Sequence, residues 1–271
     1  MKPVDVRYVR ARSVEHALEA LLEGDAKLIA GGQSLLPMMN FRLAAPELLV
    51  DIDGLSSLDR VVPVDGEVLL GALTRHERLV QDPEVSSRLP LLSAAAGHIG
   101  HVAIRNRGTL GGSLAHADAT AELSAACLAL DARVVCDRAG GARREIAMDD
   151  FLQSMYTTVL EPEEMITWIR VPIPDPGTGS GFREFGPREG DFAIAGACAL
   201  VDEVRVRVVV FGVEQRPRCF EVERSSWEDD PVPAWIGALE PFDEPEFRRD
   251  VAETMVRRAV GDAIERTGHR A

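Results

Sequence analysis

The stretch LIAGGQSLLPMMN, residues 28–40, runs from a short apolar, strand-like segment directly into a pair of glycines. Paired glycines at the end of a strand predict a sharp turn or a close approach of the backbone to another group. A second pair occurs in GTLGGS, residues 108–113, which leads toward a predicted helix. Two such loops facing each other would surround a pyrophosphate with backbone N–H donors, although the spacing alone favours two purely structural turns over a shared phosphate site.

Neither glycine loop has the spacing GxGxxG or GxxxxGK[ST]. The sequence therefore lacks the dinucleotide-binding fingerprint of the Rossmann fold and the P-loop of nucleoside triphosphatases. This excludes the simplest nicotinamide-binding and ATP-binding interpretations.

The composition narrows the classes of function. The 271 residues include 44 acidic and 30 basic ones, a net charge of −14, so a nucleic-acid partner would meet net repulsion. No apolar run is long enough to cross a membrane. The N-terminal MKPVDVRYVRARSVEHAL lacks the apolar core of a signal peptide, and we therefore expect a cytoplasmic protein.

The cysteines favour no cofactor site in this chain. Cys127, Cys136, Cys198 and Cys219 are scattered and never form a CxxC pair. A zinc site or an iron–sulfur cluster held by this chain alone is therefore disfavoured, and we expect small buried side chains instead.

The first part of the chain alternates between helical and strand patterns. Apolar spacing predicts a helix over 13–24, and strands are predicted at 48–52 and 67–73, with another at KLIAGG before them. Thr74 and Glu77 form a capping box that predicts the start of a further helix. The alternation indicates an α+β or α/β first lobe.

The rest of the chain continues as a mixed pattern. Residues 101–123 predict a long glycine-containing loop that ends at a helix over 119–131. The segment 172–181 holds three prolines and three glycines and is the best linker candidate, with two adjacent strands after it. The acidic stretch 228–247 predicts an irregular, solvated surface, and the apolar spacing of 246–267 predicts a final helix.

Two polar groupings suggest other chemistry, and we consider both unfavourable. His98, His101, His116 and Asp118 resemble a metal site, but Gly100 interrupts the HxxH pair. Ser113, His116 and Asp118 suggest a nucleophilic triad, but residues so close in sequence rarely reach triad geometry, and there is no GxSxG turn.

Four segments together resemble a known family. AGGQSLLPMMNFRLA (30–44) and AIRNRGTLGGSLAHADATAEL (103–123) closely resemble the two FAD-binding segments of the flavoprotein (medium) subunits of molybdenum hydroxylases, the carbon monoxide dehydrogenase and xanthine dehydrogenase family. The likeness extends to FREFGPREGDFAIAGACALV (182–201) and FRRDVAETMVRRAV (247–260), and so covers essentially the whole chain. The chain departs from the family at Ala119, where a proline is usual.

The resemblance implies an α+β fold in two parts. A two-part FAD-binding domain of the vanillyl-alcohol-oxidase (PCMH-type) superfamily would occupy 1–176, divided into subdomains of about 1–55 and 56–176. A small C-terminal α+β domain of the carbon monoxide dehydrogenase flavoprotein type would occupy 177–271. The proline- and glycine-rich linker falls at that boundary.

The resemblance also implies which residues bind FAD. The amides of the first loop would hold the pyrophosphate: Ala30, Gly31, Gly32, Gln33, Ser34 and Leu35. The second loop would add its backbone and the hydroxyls of its first and last residues: Thr109, Leu110, Gly111, Gly112 and Ser113. Leu114 and Ala115 would lie near the flavin ring, Glu122 against a sugar hydroxyl, Arg183 near the isoalloxazine, and Ile166 near the adenine or the ring. The resemblance implies no catalytic side chain and no metal site in this chain.

The implied function is that of an FAD-carrying electron-transfer subunit. Molybdopterin would lie on a large partner subunit and two [2Fe–2S] clusters on a small one, in an (αβγ)₂ assembly that passes electrons through this FAD to an external acceptor. Two alternatives remain open at this stage: a flavin-binding structural subunit without redox turnover, and an independent flavin oxidoreductase. The substrate of the complex and the identity of the acceptor do not follow from these residues.

Overall fold

The first of three larger sheets is built from the N-terminal segment of the chain. The structure, a computed structural model, describes residues 5–268. Three parallel strands pair in the order β1-β3-β2: β1 Arg7–Arg10, β2 Ala26–Ile29 and β3 Leu48–Asp51. Helix α1, Val14–Ala20, connects the first two strands and begins where the Ser13 Oγ accepts a hydrogen bond of 3.2 Å from the His16 N–H. Helix α2, Leu35–Asn40, follows the first glycine loop.

The second sheet has five antiparallel strands in the order β4-β5-β10-β6-β7. Its strands are β4 Val61–Val64, β5 Glu67–Gly71, β6 Arg133–Arg138, β7 Arg143–Ala147 and β10 Glu164–Pro172. Six helices separate β5 from β6: α3 His76–Gln81, α4 Pro83–Arg88, α5 Pro90–His98, α6 Val102–Arg105, α7 Leu110–His116 and α8 Glu122–Ala129. A short segment returns from β7 to β10 through α9 Met148–Phe151 and a two-stranded ribbon, β8 Leu152–Ser154 and β9 Thr157–Thr158.

The third sheet is antiparallel, and its strands follow their order in the chain. They are β11 Gly179–Phe185, β12 Ala195–Val201, β13 Arg205–Phe211 and β14 Arg218–Glu223, followed by helices α10 Val232–Gly237 and α11 Pro245–Arg266. Helix α8, buried along residues 123–129, packs between this sheet and the helices after β5, so Leu123, Phe182 and Phe211 share one core. An almost wholly apolar helix needs such burial on all sides.

Two glycines bring α11 onto the third sheet at backbone distance. A Cβ at Gly179 would lie 1.9 Å from the Ala263 carbonyl oxygen, and one at Gly181 would lie 1.9 Å from the Ala259 carbonyl oxygen. Alternate positions on a strand face the same side. The odd-numbered residues of β11 therefore face α11.

The mixture of helices and sheets confirms the α+β expectation, and most of the predicted elements exist. The strands expected at 48–52 and 67–73 and the final helix lie within a few residues of their predicted bounds. No helix within residues 5–268 is long and apolar enough to cross a bilayer.

Three local predictions were wrong. The Thr74–Glu77 capping box does not form, because α3 begins at His76 and the Thr74 hydroxyl donates instead to the Arg60 carbonyl oxygen, at 3.4 Å. The expected loop at 101–123 contains α6 and α7. The stretch 228–247 contains α10, which is buried through Val232, Trp235 and Ile236 because its apolar side covers the third sheet.

We expect Gly181→Ala to destabilise the chain by about 1–3 kcal/mol, because the added methyl group forces α11 away from β11. Gly261→Ala is the matched control: it lies on α11 itself, with no atom within 4 Å of its added Cβ. Replacing a helical glycine by alanine where the added methyl group meets no other atom should stabilise the chain by about 0.5–1 kcal/mol. Urea denaturation of both variants measures the difference, and equal stabilities would contradict the packing described.

Candidate functional site

A cleft of about 320 Å³ lies where the two glycine loops meet. Its walls are formed by the first loop with the end of β2, by the second loop with α7, and by Leu160, Met165 and Ile166 beside them. The two loops, residues 31–35 and 108–113, are far apart in sequence and form one site in the folded chain.

The two loops touch through their backbones. A Cβ at Gly31 would lie 2.0 Å from the carbonyl oxygen of Arg107 and 3.1 Å from the Cα of Gly108, so only glycine fits this position. Gly32 adopts a φ of +71°, which L side chains rarely adopt. The Arg75 guanidinium donates to the Arg107 carbonyl oxygen and to the Asp53 carboxylate, and so ties the second loop to the end of the first sheet.

The first loop carries unpaired backbone donors. Within residues 5–268, the N–H groups of residues 31–35 donate to no protein acceptor. The loop is held instead through its carbonyl groups: Gly31 accepts from the Gln33 side chain at 3.1 Å, and Gly32 accepts from the Leu36 N–H at 3.2 Å. Unpaired donors on a cleft wall are available to a bound anion.

The second loop is different, because its helix-initiating amides are already used. The bonds join Leu110 N–H to Thr74 O (2.9 Å), Gly111 N–H to Ala72 O (2.8 Å), Gly112 N–H to Thr109 Oγ1 (3.2 Å) and Ser113 N–H to Thr109 O (3.0 Å). The glycine spacing alone suggested N–H donors from both loops, whereas the family resemblance implied hydroxyl groups from Thr109 and Ser113 of the second. What the second loop offers to the cleft is the hydroxyl groups of Thr109 and Ser113.

Most of the predicted contact residues line the cleft. They are Ala30, Gly31, Gly32, Gln33, Ser34, Leu35, Thr109, Gly111, Gly112, Ser113, Ala115 and Ile166. Leu110 and Leu114 do not line it: both are fully buried in the apolar core, because the α7 helix turns them toward the sheet.

Arg183 also lies outside the cleft lining. Its guanidinium makes a two-bond ion pair with Asp262 of α11, with Nε–Oδ2 at 2.7 Å and Nη2–Oδ1 at 2.9 Å. The alternation along β11 explains this position, since odd-numbered residues face α11 whereas Phe182 and Glu184 face the opposite side. The expected place of Arg183 beside the isoalloxazine stays a prediction, and in the structure its guanidinium is paired with Asp262.

Glu122, at the start of α8, lies near Glu184 and not in the cleft wall. Burial raises the pKa of the Glu122 carboxyl to about 8, and the negative charge of Glu184 adds to the increase. The Oε1 atom of Glu184 lies 3.2 Å from His98 Nδ1, and its Oε2 atom is buried with no hydrogen-bond partner among residues 5–268. Glu122 is therefore mostly protonated at neutral pH.

The histidines do not assemble as a metal site. His98 contacts Glu184, His116 packs against the Tyr156 ring with centroids 5.0 Å apart, and His101 is exposed. In the part of the chain that the structure describes, no three His, Cys, Asp or Glu residues are grouped so as to hold a metal ion.

The sequence reasoning missed several residues that line the cleft, among them His76, Leu160 and Met165. His76 is buried at the start of α3, and its Nε2 lies 3.1 Å from the Ser113 Oγ. Burial lowers the pKa of His76 to about 4. The only sequence signal for His76 is its place shortly after a predicted strand and at the start of a helix. Polar residues are common at that place, so the signal does not single it out.

Comparison with known proteins gives a consistent result. Residues 4–174 match the family model described as the FAD binding domain in molybdopterin dehydrogenase. The chain is 42% identical to subunit alpha of the 6-hydroxypseudooxynicotine dehydrogenase complex of Paenarthrobacter nicotinovorans, over 98% of this chain and 97% of that one. It is 40% identical to the carbon monoxide dehydrogenase medium chain of Hydrogenophaga pseudoflava, over 74% and 70% of the two chains.

A solved structure shows the same fold. Carbon monoxide dehydrogenase from Hydrogenophaga pseudoflava, in a form that lacks the Mo-pyranopterin moiety of its cofactor, superimposes with a TM-score of 0.93 at 32% identity. The match covers 99% of this chain and 100% of that one.

We expect the stability of the flavin-free full chain to fall as the pH rises from about 4.5 to about 8, because the folded chain keeps a proton on Glu122 that the unfolded chain has lost. Glu122→Gln cannot lose this proton and should reduce that decline. Urea denaturation of both proteins at pH 5 and pH 9 measures the effect. An equal decline in both would show that Glu122 does not hold a proton in the folded chain.

Proposed function

Because the chain belongs to the family of FAD-binding medium subunits of the molybdopterin dehydrogenases, we propose that it is the electron-transfer subunit that takes electrons from [2Fe–2S] clusters of a partner and delivers them to an external acceptor. It is an FAD-binding subunit of an oxidoreductase complex whose partner subunits carry molybdenum and iron–sulfur centres. The direction of electron flow and the acceptor are parts of the proposal.

The observation that carries the proposal is the set of unpaired N–H groups of residues 31–35 on the cleft wall. They fit the pyrophosphate of FAD, since backbone donors are the usual partners of phosphate groups where glycine allows close approach. Among the described residues that line the cleft none is an aspartate or glutamate, although the chain has a net charge of −14. The cleft lining therefore lacks carboxylates although the chain as a whole is acidic. This absence of negative charge favours the binding of an anion.

The remaining cleft residues would complete the FAD site. The hydroxyls of Thr109 and Ser113 would donate to phosphate oxygens, and the apolar side chains of Leu160, Met165 and Ile166 would pack against a ring of the cofactor. When bound, FAD supplies the redox chemistry, and it can exchange one or two electrons. The protein residues therefore bind and orient, and none acts as a nucleophile or a general base on the substrate of the complex.

The proposal extends to the assembly and the domains. We propose a large molybdopterin subunit and a small [2Fe–2S] subunit as partners in an (αβγ)₂ complex, and a division of this chain into 1–176, of the PCMH type, and 177–271. The start of the third sheet at Gly179 supports that boundary. The cytoplasmic location stays a prediction. A structural subunit without redox turnover and an independent flavin oxidoreductase are the alternatives.

Gly32→Ala should weaken FAD binding by about tenfold or more, because alanine at a φ of +71° displaces the amides of the first loop. The matched control is Gly24→Ala, which has a similar φ of +81° but lies in an open turn outside the cleft. Both variants should lose similar stability, whereas only Gly32→Ala should lose flavin. Fluorescence titration of the full-length variants with FAD measures this difference, and unchanged affinity in Gly32→Ala would contradict the assignment of the first loop.

Electron transfer is tested on the intact complex, purified through a tag on this chain. We expect molybdenum, iron and FAD together, and rapid flavin reduction when the substrate of the complex is added without oxygen. The same complex reconstituted without the [2Fe–2S] subunit should keep its FAD oxidised. Flavin that stays oxidised in the complete, turning-over complex would favour the structural subunit, and reduction of this chain alone by substrate would favour the independent oxidoreductase.

A further inference from the structure

We infer that His76 is a positioning residue of the FAD site: its neutral imidazole donates from Nε2 to the Ser113 Oγ, and the hydroxyl hydrogen of Ser113 is thereby left to donate to a pyrophosphate oxygen. The inference rests on the proposed function, because it takes the pyrophosphate of FAD as the anion in the cleft.

The geometry joins His76 to the second glycine loop. His76 is 4% exposed, and its Nε2 lies 3.1 Å from the Ser113 Oγ. The ring packs under Gly108 so closely that a Cβ there would lie 2.6 Å from the imidazole Cε1 and Nδ1. The backbone N–H of His76 also donates to the Gly108 carbonyl oxygen, at 3.1 Å. Backbone and ring are both fixed, so the imidazole holds one orientation toward Ser113.

The charge state of His76 follows from its surroundings. Burial lowers its pKa to about 4; the Thr109 backbone opposes this shift, and the charges of Arg75 and Arg105 add to it. The ring is therefore neutral at neutral pH and carries a single N–H. A neutral ring adds no charge to the cleft. What His76 contributes is therefore a hydrogen bond that orients the Ser113 hydroxyl.

The position of that single proton follows from hydrogen-bond partners. Nδ1 is buried without any partner in the part of the chain described, whereas Nε2 faces the Ser113 Oγ. A buried unpaired N–H is rarer in proteins than a buried unpaired acceptor. The proton therefore belongs on Nε2, which makes Ser113 the acceptor of this bond. Ser113 lines the cleft, and its own O–H is free to donate there.

A hydrolytic serine–histidine pair needs the opposite arrangement. The imidazole of such a pair accepts the serine proton at one nitrogen while its other N–H is oriented by a carboxylate. Here no carboxylate contacts Nδ1, and a base with a pKa of about 4 would accept a serine proton poorly near neutral pH. The pair is thus built to orient a donor and not to activate a nucleophile.

A double-mutant cycle tests whether His76 acts through Ser113. The dissociation constant for FAD is measured by fluorescence titration of the full chain for wild type, His76→Met, Ser113→Ala and the double variant. We expect each single variant to bind about tenfold more weakly, and the double variant no more weakly than Ser113→Ala. His76→Gln, which keeps an N–H donor at the same reach, should recover most of the affinity. Additive losses, or wild-type affinity in His76→Met, would overturn the inference.

The proton position is measured without any substitution. Nitrogen-15 NMR of the histidine rings in the wild-type full chain distinguishes an N–H at Nε2 from one at Nδ1. We expect the Nε2–H form, and the Nδ1–H form would overturn the inference even if the variants failed to fold. Failure of the wild-type chain to bind FAD would refute the proposed function, whereas normal binding with additive losses would refute only the role of His76.

Discussion

The contact of the Gly31 backbone with the Arg107 carbonyl oxygen is the constraint on which the cleft depends. It leaves no room for a side chain, since a Cβ would lie 2.0 Å from that oxygen. The contact joins the loop after β2 of the parallel sheet to a loop between β5 and β6 of the antiparallel sheet. Arg75 strengthens the junction by binding both Arg107 and Asp53. A cofactor bound here therefore touches both sheets, and its binding is coupled to how they are held together.

The two loops offer different groups to the anion that we propose binds in the cleft. The first loop provides backbone N–H groups, which are free because its own carbonyl groups hold its shape. The second loop uses its amides to anchor α7 on the strand end at Ala72 and Thr74, and so it provides hydroxyl groups instead. Both loops lead into a helix, α2 after the first and α7 after the second. The proposed role of His76 follows from the difference between their donor groups, because a hydroxyl group binds an anion selectively only when the direction of its O–H bond is fixed.

Much of the fold and of the site could be predicted from the sequence because the signals are local. The glycine pairs identify both loops, and apolar spacing identifies the long final helix. Strand β1, RYVR, was not recognised because three of its four side chains are exposed and two of these are arginines. The ion pair of Arg183 with Asp262 could not be predicted, because it depends on which side of β11 faces α11, and the Gly179 and Gly181 contacts set that side. The burial of Leu110 and Leu114 could not be predicted either, because it depends on the rotation of α7 against the core. His76 was missed because its partner Ser113 lies 37 residues away.

Amide hydrogen exchange of the full chain with and without FAD tests whether the first loop binds the cofactor through its backbone. We expect the N–H groups of residues 31–35 to exchange rapidly in the absence of FAD and to become protected when it binds. The N–H groups of residues 110 and 111 should be protected in both states, because they are bonded to the protein. Protection of residues 31–35 without FAD, or no change there when it binds, would contradict the central claim that the first loop holds the pyrophosphate through its backbone.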